Sequence, residues 1–251
     1  MTFTEAFFRT EIGSGIVTSV GESWHLTVPP AVKTRYHDAQ ISSYRRRREF
    51  TFRPPVKLTI RAYAEGSVQG TAGFGFWNHP YVPGEAGFRL PKAVWFFFGS
   101  PPNNMALAKD VPGHGWKAAT FDATRWQFLM LLPTAPLGFL LMRVPALYRR
   151  LWPTGQQALG VSEKSLDASL LRQRHDYEID WQPRHVTFSV DQQMVHRADL
   201  AIRGPLGFIA WVDNQYAVVT PQGRFGFGLL DVPVAQTLVI ENLSISPAIM
   251  G

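Results

Sequence analysis

The chain has 251 residues; 45% are hydrophobic, 13% aromatic and 18% charged, and 25 Lys and Arg against 19 Asp and Glu leave a net charge of +6. That length and apolar content bury a sizeable core, which excludes a disordered chain, a collagen or a coiled coil. With no cysteine in the chain, a disulfide scaffold, a cysteine nucleophile and thiolate-based zinc or iron–sulfur sites are excluded too.

The N-terminal stretch carries Glu5 and lacks the apolar segment of a secretory leader, which predicts a cytoplasmic location. Arg45–Arg48 is the densest basic run. In a strand, adjacent arginines alternate between both faces, so the run predicts a charge-protected edge strand and no nucleic-acid partner. Val56–Ala62 alternates apolar and polar residues, the period of a half-buried strand. Gly73–Trp77 also reads as a strand and lacks the Lys-Ser/Thr of a phosphate loop. Ala93–Phe98 is an unbroken apolar run between Pro91 and Gly99, expected to be a strand covered on both sides.

Phe128–Leu141 is the most apolar window, but it is too short to span a bilayer and is interrupted by Pro133 and Pro136. It reads either as a buried hairpin or lid, or as a patch that touches a membrane surface or an apolar ligand, with Arg143, Arg149 and Arg150 following. Pro145 suits the first position of a helix running to Trp152. Ser162 suits a cap for a helix bearing Leu166, Leu170 and Leu171. Residues of about 126–174 are therefore read as a helical insertion. Strands resume at His175–Trp181, Val186–Val190, Leu206–Val212, Tyr216–Val219 and Thr237–Ile245, with a tight turn expected at Asp191–Gln193. Turn signals recur at Pro54-Pro55, Pro83-Gly84, Pro101-Pro102 and Pro221-Gln-Gly223. The sum is an all-β sandwich or barrel, with 1–251 as a single domain carrying the insertion.

Two stretches resemble the family-16 glycoside hydrolases and the wider concanavalin A-like lectin/glucanase group. One runs from Asp38–Ser43 through Phe50–Phe52 and Val56–Ala62 to Gly73–Trp77, and is similar to the family's succession of strands ending in a Phe-Trp pair. The other is His175–Trp181 followed by Val186–Asp191, similar to a strand–hairpin unit of the family, and Leu238–Ile245 suits its closing strand. The resemblance implies a concanavalin A-like jelly-roll sandwich of two curved antiparallel sheets, with ligand held on the concave face. It also implies a strand bearing Glu-x-Asp-x-x-Glu. Retaining chemistry needs two carboxyl groups about 5 Å apart, and side chains at i and i+2 share a strand face. The best candidate strand, Ala93–Ser100, carries no acid, and Glu85 and Asp110 stand isolated in turn-like segments. The family's hydrolytic mechanism is therefore carried over to no residue here.

Other constellations remain. Glu178 and Asp180 share one face, flanked by His175, Asp176 and His185. They read either as an acid/base pair or as the solvated side of a strand whose Tyr177, Ile179 and Trp181 point inward. Trp211–Tyr216 sets polar residues inside an apolar run, and buried polar groups are costly unless paired. Asp213, Asn214 and Tyr216 form either a turn or the ligand contacts of the cleft, the first choice of site. Trp77, Asn78 and His79 end the strand that contributes a cleft tryptophan in the family, and His79 is a candidate base or a loop residue. Trp95, Trp116 and Trp126 are stacking platforms or core, core being the safer reading for Trp95; Trp211 is a ligand-binding candidate beside Asp213, and His114 reads as a turn residue. No cofactor and no metal are expected.

The first functional reading is a sandwich that binds a carbohydrate or glycolipid in its concave cleft. Its alternative is an enzyme acting on a lipid or isoprenoid-like substrate in a water-excluded cleft roofed by the insertion, with Asp213, Glu178, Asp180 and His79 as its catalytic candidates. A third places the protein at a membrane surface through residues 128–152.

Overall fold

Period-2 alternation sorts the side chains of this chain into two opposed layers. The computed structural model describes residues 7–79 and 86–248. Glu5, Pro80, Pro83-Gly84 and Glu85 lie outside the described residues. In chain order the strands of the first half are β1 (Phe8–Ile12), β2 (Ile16–Val20), β3 (Ser23–Val28), β4 (Asp38–Ser42), β5 (Val56–Glu65), β6 (Thr71–Trp77), β7 (Lys92–Gly99) and β8 (Gly115–Asp122). Three helices follow: α1 (Trp126–Leu131), α2 (Ala135–Leu141) and α3 (Pro145–Ala158). The remainder comprises β9 (Ser162–Leu166), the single turn α4 (Ser169–Arg172), β10 (His175–Trp181), β11 (Val186–Val190), β12 (Gln193–Ala198), β13 (Gly207–Asp213), β14 (Gln215–Val219), β15 (Phe225–Leu229) and β16 (Gln236–Pro247).

Two seven-stranded antiparallel sheets result. The first has the order β1-β4-β13-β6-β7-β8-β9 and the second β12-β11-β10-β5-β16-β3-β2, while β14 and β15 form a separate hairpin. The core lies between the two large sheets. Phe74, Phe76, Phe96, Trp116 and Phe208 from the first meet Tyr177, Ile179, Trp181, Phe188 and Leu238 from the second, all fully buried. Phe96 packs edge-on against Tyr177 and Phe188, and Phe76 packs tilted against Trp181, with centroids 5.0–5.3 Å apart.

The expected strands form, and the Asp191-Gln192 turn joins β11 to β12 with both residues at positive φ (48° and 66°). Three expectations need correction. Ser162–Arg172 is not one helix: Ser162–Leu166 pairs with β8 as the edge strand β9. Backbone pairing along β8 and the contact of Glu163 with Lys117 outweigh a local cap signal. Arg45–Arg48 is not an edge strand but leads into a 3-10 turn, Arg47–Glu49. The Glu49 carboxylate accepts the backbone N–H groups of Arg45 and Arg46, and buried Arg47 donates to the carbonyls of His79, Ala86 and Gly87. A guanidinium fork suits such multiple acceptors.

Phe128–Leu141 is neither a hairpin nor buried. It is α1, a 3-10 turn at Leu132–Thr134, and α2, none of which contains a buried residue. On one side the insertion is anchored to the β7–β8 connection and the end of β8. Trp152 Nε1 donates to the Leu107 carbonyl, Lys109 N–H to Gln156 Oε1, and Phe128 and Leu159 pack against Ala108 and Ala123.

Candidate functional site

Cross-strand register assembles the outward face of the first sheet row by row. One row runs Asp38–Asp213 and on to Thr71. The next is Gln40–Trp211–Gly73–Phe97–Lys117, and the third is Ser42–Ile209–Gly75–Trp95–Ala119–Glu163. The last is Trp77–Ala93–Phe121.

Aromatic rings dominate this floor. Trp95 is the hub, with centroids 4.5 Å from Trp77, 5.3 Å from Trp211, 5.4 Å from Phe97 and 5.6 Å from Phe121. Glycines make the arrangement fit. A Cβ on Gly73 would lie 2.9 Å from the Trp211 ring, and one on Gly75, whose φ is 150°, would lie 2.7 Å from Trp95 Cβ. Met105, on the β7–β8 connection, packs on this cluster, so Trp95, Phe97 and Trp211 are buried while Trp77 is half-buried. The Trp77 Nε1 hydrogen is buried with no acceptor among the described residues.

Charged groups flank the rings on two sides. Lys117 Nζ lies 3.2 Å from Glu163 Oε2 and also donates to the Met105 carbonyl, with both charged side chains buried. Burial raises the Glu163 carboxyl above its ordinary range, and Lys117 opposes that shift. On the other side Asp38 and Asp213 stand directly opposite on neighbouring strands. Asp213 Oδ1 accepts the Thr71 N–H and hydroxyl and the Gln215 N–H, and Oδ2 accepts the Tyr36 hydroxyl. Burial pushes Asp213 up to about 6 despite these bonds. Burial first, and the facing Asp213 second, hold the Asp38 carboxyl well above the usual range; its Oδ1 has no partner among the described residues. Trp211 Nε1 donates to Thr71 Oγ1, tying the acids to the aromatic cluster.

Of the residues expected to form a site, this face gathers Trp77, Trp95, Trp211 and Asp213. Trp95 belongs to this second apolar cluster, not to the core between the sheets. His79 follows Trp77 at positive φ (40°), with Nδ1 3.0 Å from the Tyr44 hydroxyl. Asn78 and Asn214 are buried, and their amides bind backbone groups: Leu90 and Lys92 for the first, Arg35, His37 and Leu230 for the second. Tyr216 lies on the β14–β15 hairpin against Gly228.

The other candidates lie elsewhere. Trp116 is in the core between the sheets, against Phe74, Phe96 and Tyr177. Trp126 opens α1 and is exposed. Glu178 and Asp180 sit on the second sheet, facing away from the core, where Glu178 pairs with Lys57 at 2.8 Å and Asp180 accepts a hydrogen bond from Gln182. Asp38, Gln40, Lys117 and Glu163 were not singled out by sequence. The signal for the first two was present, since the alternation Asp38, Gln40, Ser42 against Ala39, Ile41 puts the polar set on one face. Among the described residues no group of His, Asp and Glu is placed to hold a metal ion.

Two large antiparallel sheets wrapped around one aromatic core, with the closing strand beside β5, make this a concanavalin A-like jelly-roll sandwich. The chain resembles the family-16 glycoside hydrolases within that group: the model of the glycosyl hydrolases family 16 matches residues 151–202, from the middle of α3 to just beyond β12. A GlcNAcα1-4Gal-releasing endo-β-galactosidase from Clostridium perfringens aligns with 98% of this chain and 59% of its own, at 10% identity and a TM-score of 0.53. The Crh5 transglycosylase in complex with NAG aligns with 98% of this chain and 79% of its own, at 12% identity and a TM-score of 0.51. This chain therefore spans less than two thirds of the endo-β-galactosidase. No curated protein sequence matches it.

Proposed function

We propose that the protein binds a carbohydrate, or the sugar part of a glycolipid, on the outward face of its first sheet at the Trp77 end. The observation that carries this reading is the half-buried Trp77, which ends a row of packed indoles with its Nε1 hydrogen buried and without an acceptor among the described residues. A sugar ring stacks its C–H face on an indole and offers hydroxyl oxygens to its N–H. Gln40, Ser42 and Asp38 stand on the same face as buried polar groups, with the Ser42 hydroxyl donating to the Tyr44 carbonyl. Two proteins that share the fold carry names denoting work on carbohydrates, but at such identity they support the fold alone.

β7, which brings Trp95 and Phe97 onto this face, reads Lys-Ala-Val-Trp-Phe-Phe-Phe-Gly and contains no carboxylate. This favours binding over hydrolysis. Calorimetric titration with β-1,3-glucan and β-1,3-1,4-glucan oligosaccharides tests the proposal. Saturable binding is expected, weakened at least tenfold by Trp77→Ala and unchanged by Trp126→Ala. No heat of binding to either series, or equal binding by the Trp77→Ala variant, overturns it.

A further inference from the structure

The apolar insertion has an outward face, and the hairpin beside it has another. The α1–α2 segment is among the most apolar parts of the chain, yet none of its residues is buried. Trp126 and Met130 are each 69% exposed, and Leu137 and Leu140 are more than half exposed. The tip of the β14–β15 hairpin continues the surface with Phe225 at 60% and Phe227 at 69%. The two elements are fastened together: Phe139 and Phe225 pack edge-to-face at 5.5 Å, Arg143 Nε donates to the Gln222 carbonyl, and the bare Cα of Gly223 admits the Phe139 ring. Two segments far apart in sequence thus present one apolar surface. Scattered exposed apolar residues are ordinary in proteins; a contiguous set on fastened elements marks an interaction site.

Charge identifies the occupant. Between Asp122 and Glu163 the chain holds Arg125, Arg143, Arg149 and Arg150 and not one acid, and residues 215–229 hold Arg224 and no acid. Such a surface is not complementary to itself, because a two-fold pairing would set arginines against arginines with no carboxylate to meet them. It is complementary to a plane of anionic headgroups over hydrocarbon. No helix among the described residues is long and apolar enough to cross a bilayer, and short helices with exposed Trp, Leu and Met beside arginines fit insertion parallel to the membrane plane.

We propose that α1, α2 and the β14–β15 hairpin form a docking surface for anionic lipid bilayers. Hydrocarbon-facing side chains enter the interface, and Arg149, Arg150 and Arg224 lie at headgroup level. The proposal is independent of what the outward face of the first sheet binds.

Co-sedimentation of the full chain with phosphatidylcholine vesicles, with and without phosphatidylglycerol, provides the test. Partitioning onto the anionic vesicles is expected, weakening as salt rises. M130E/L137E/F227E is expected to abolish it. R149Q/R150Q/R224Q is expected to weaken it roughly fivefold for each arginine removed. Because all six side chains are exposed, thermal unfolding of both variants should match that of the unaltered protein, so lost binding is not lost folding. A chain that stays in the supernatant with both vesicle types, or that binds neutral and anionic vesicles equally, overturns the proposal. So does a concentration-dependent dimer that forms without lipid and is dissolved by the glutamate variant, which would make the patch a protein interface.

Discussion

The outward faces of the two sheets carry the same kinds of charged residue in opposite states. On the first sheet, Lys117 and Glu163 form an ion pair whose side chains are 2% and 8% exposed. On the second, Lys57 and Glu178 form the same pair with side chains 40% and 34% exposed. The carboxyls follow the same division. Asp38 and Asp213 are raised by burial, whereas Asp176 on the second sheet is lowered, chiefly by its hydrogen bond from Arg61. Identical groups thus acquire different properties because one face is covered by aromatic side chains and the β7–β8 connection, and the other is open to water. A carboxylate pair on a strand is therefore no guide to chemistry until its face is known. Glu178 and Asp180, the pair most easily seen in sequence, fall on the wet side.

The largest test of this contrast removes one partner from each lysine–glutamate pair. Lys117→Met leaves Glu163 buried and unpaired, a change that costs about 3–5 kcal/mol. Lys57→Met removes a solvated pair worth at most about 1 kcal/mol. Urea denaturation of the two variants measures both, and equal losses would break the distinction between the faces.

The next effect concerns pH. Asp213 has a folded value of about 6 against an ordinary 3.8, so between those values the folded protein holds a proton that the unfolded chain releases. Through Asp213, stability accordingly falls as pH rises from about 4 to about 6. Asp38, raised by the same burial, acts in the same direction. In Asp213→Asn this part of the slope is expected to vanish, a change of about 2–3 kcal/mol across the interval. The urea midpoint measured from pH 4 to pH 7 checks it, and an unchanged slope would refute the burial argument.

The smallest effect has the opposite sign. Asp176 is held below its ordinary value by Arg61, so its contribution is present above that ordinary value and lost as pH falls through the folded one. Asp176→Asn should slightly reduce stability at neutral pH and flatten the loss below pH 4, seen as a small shift in an acid-unfolding midpoint.

Much of the fold is legible in local pattern. The alternation of Val56–Ala62 and Val186–Val190 becomes β5 and β11, and the continuous apolar run at Ala93–Phe98 becomes β7, covered on both sides. The Ser162–Arg172 segment misleads because an edge strand takes its hydrogen bonds from a distant neighbour, β8, which no local propensity encodes. The site is half legible. Trp77, Trp95, Trp211 and Asp213 stand out as residue types, but the mate of Asp213 is Asp38, brought opposite only when β4 and β13 pair.

By itself, the sequence determined the class of fold, the existence of an apolar insertion and the supply of tryptophans, because these depend on residue type and on a period of two. Tertiary structure alone decided which tryptophan serves which purpose. Trp95 and Trp116 both lie in apolar strands, but antiparallel register sets Trp116 opposite Phe98, toward the core between the sheets, and Trp95 opposite Gly75 and Ala119, on the outward face. The physical reason is that a strand's two faces become inside and outside only once its neighbours are in place.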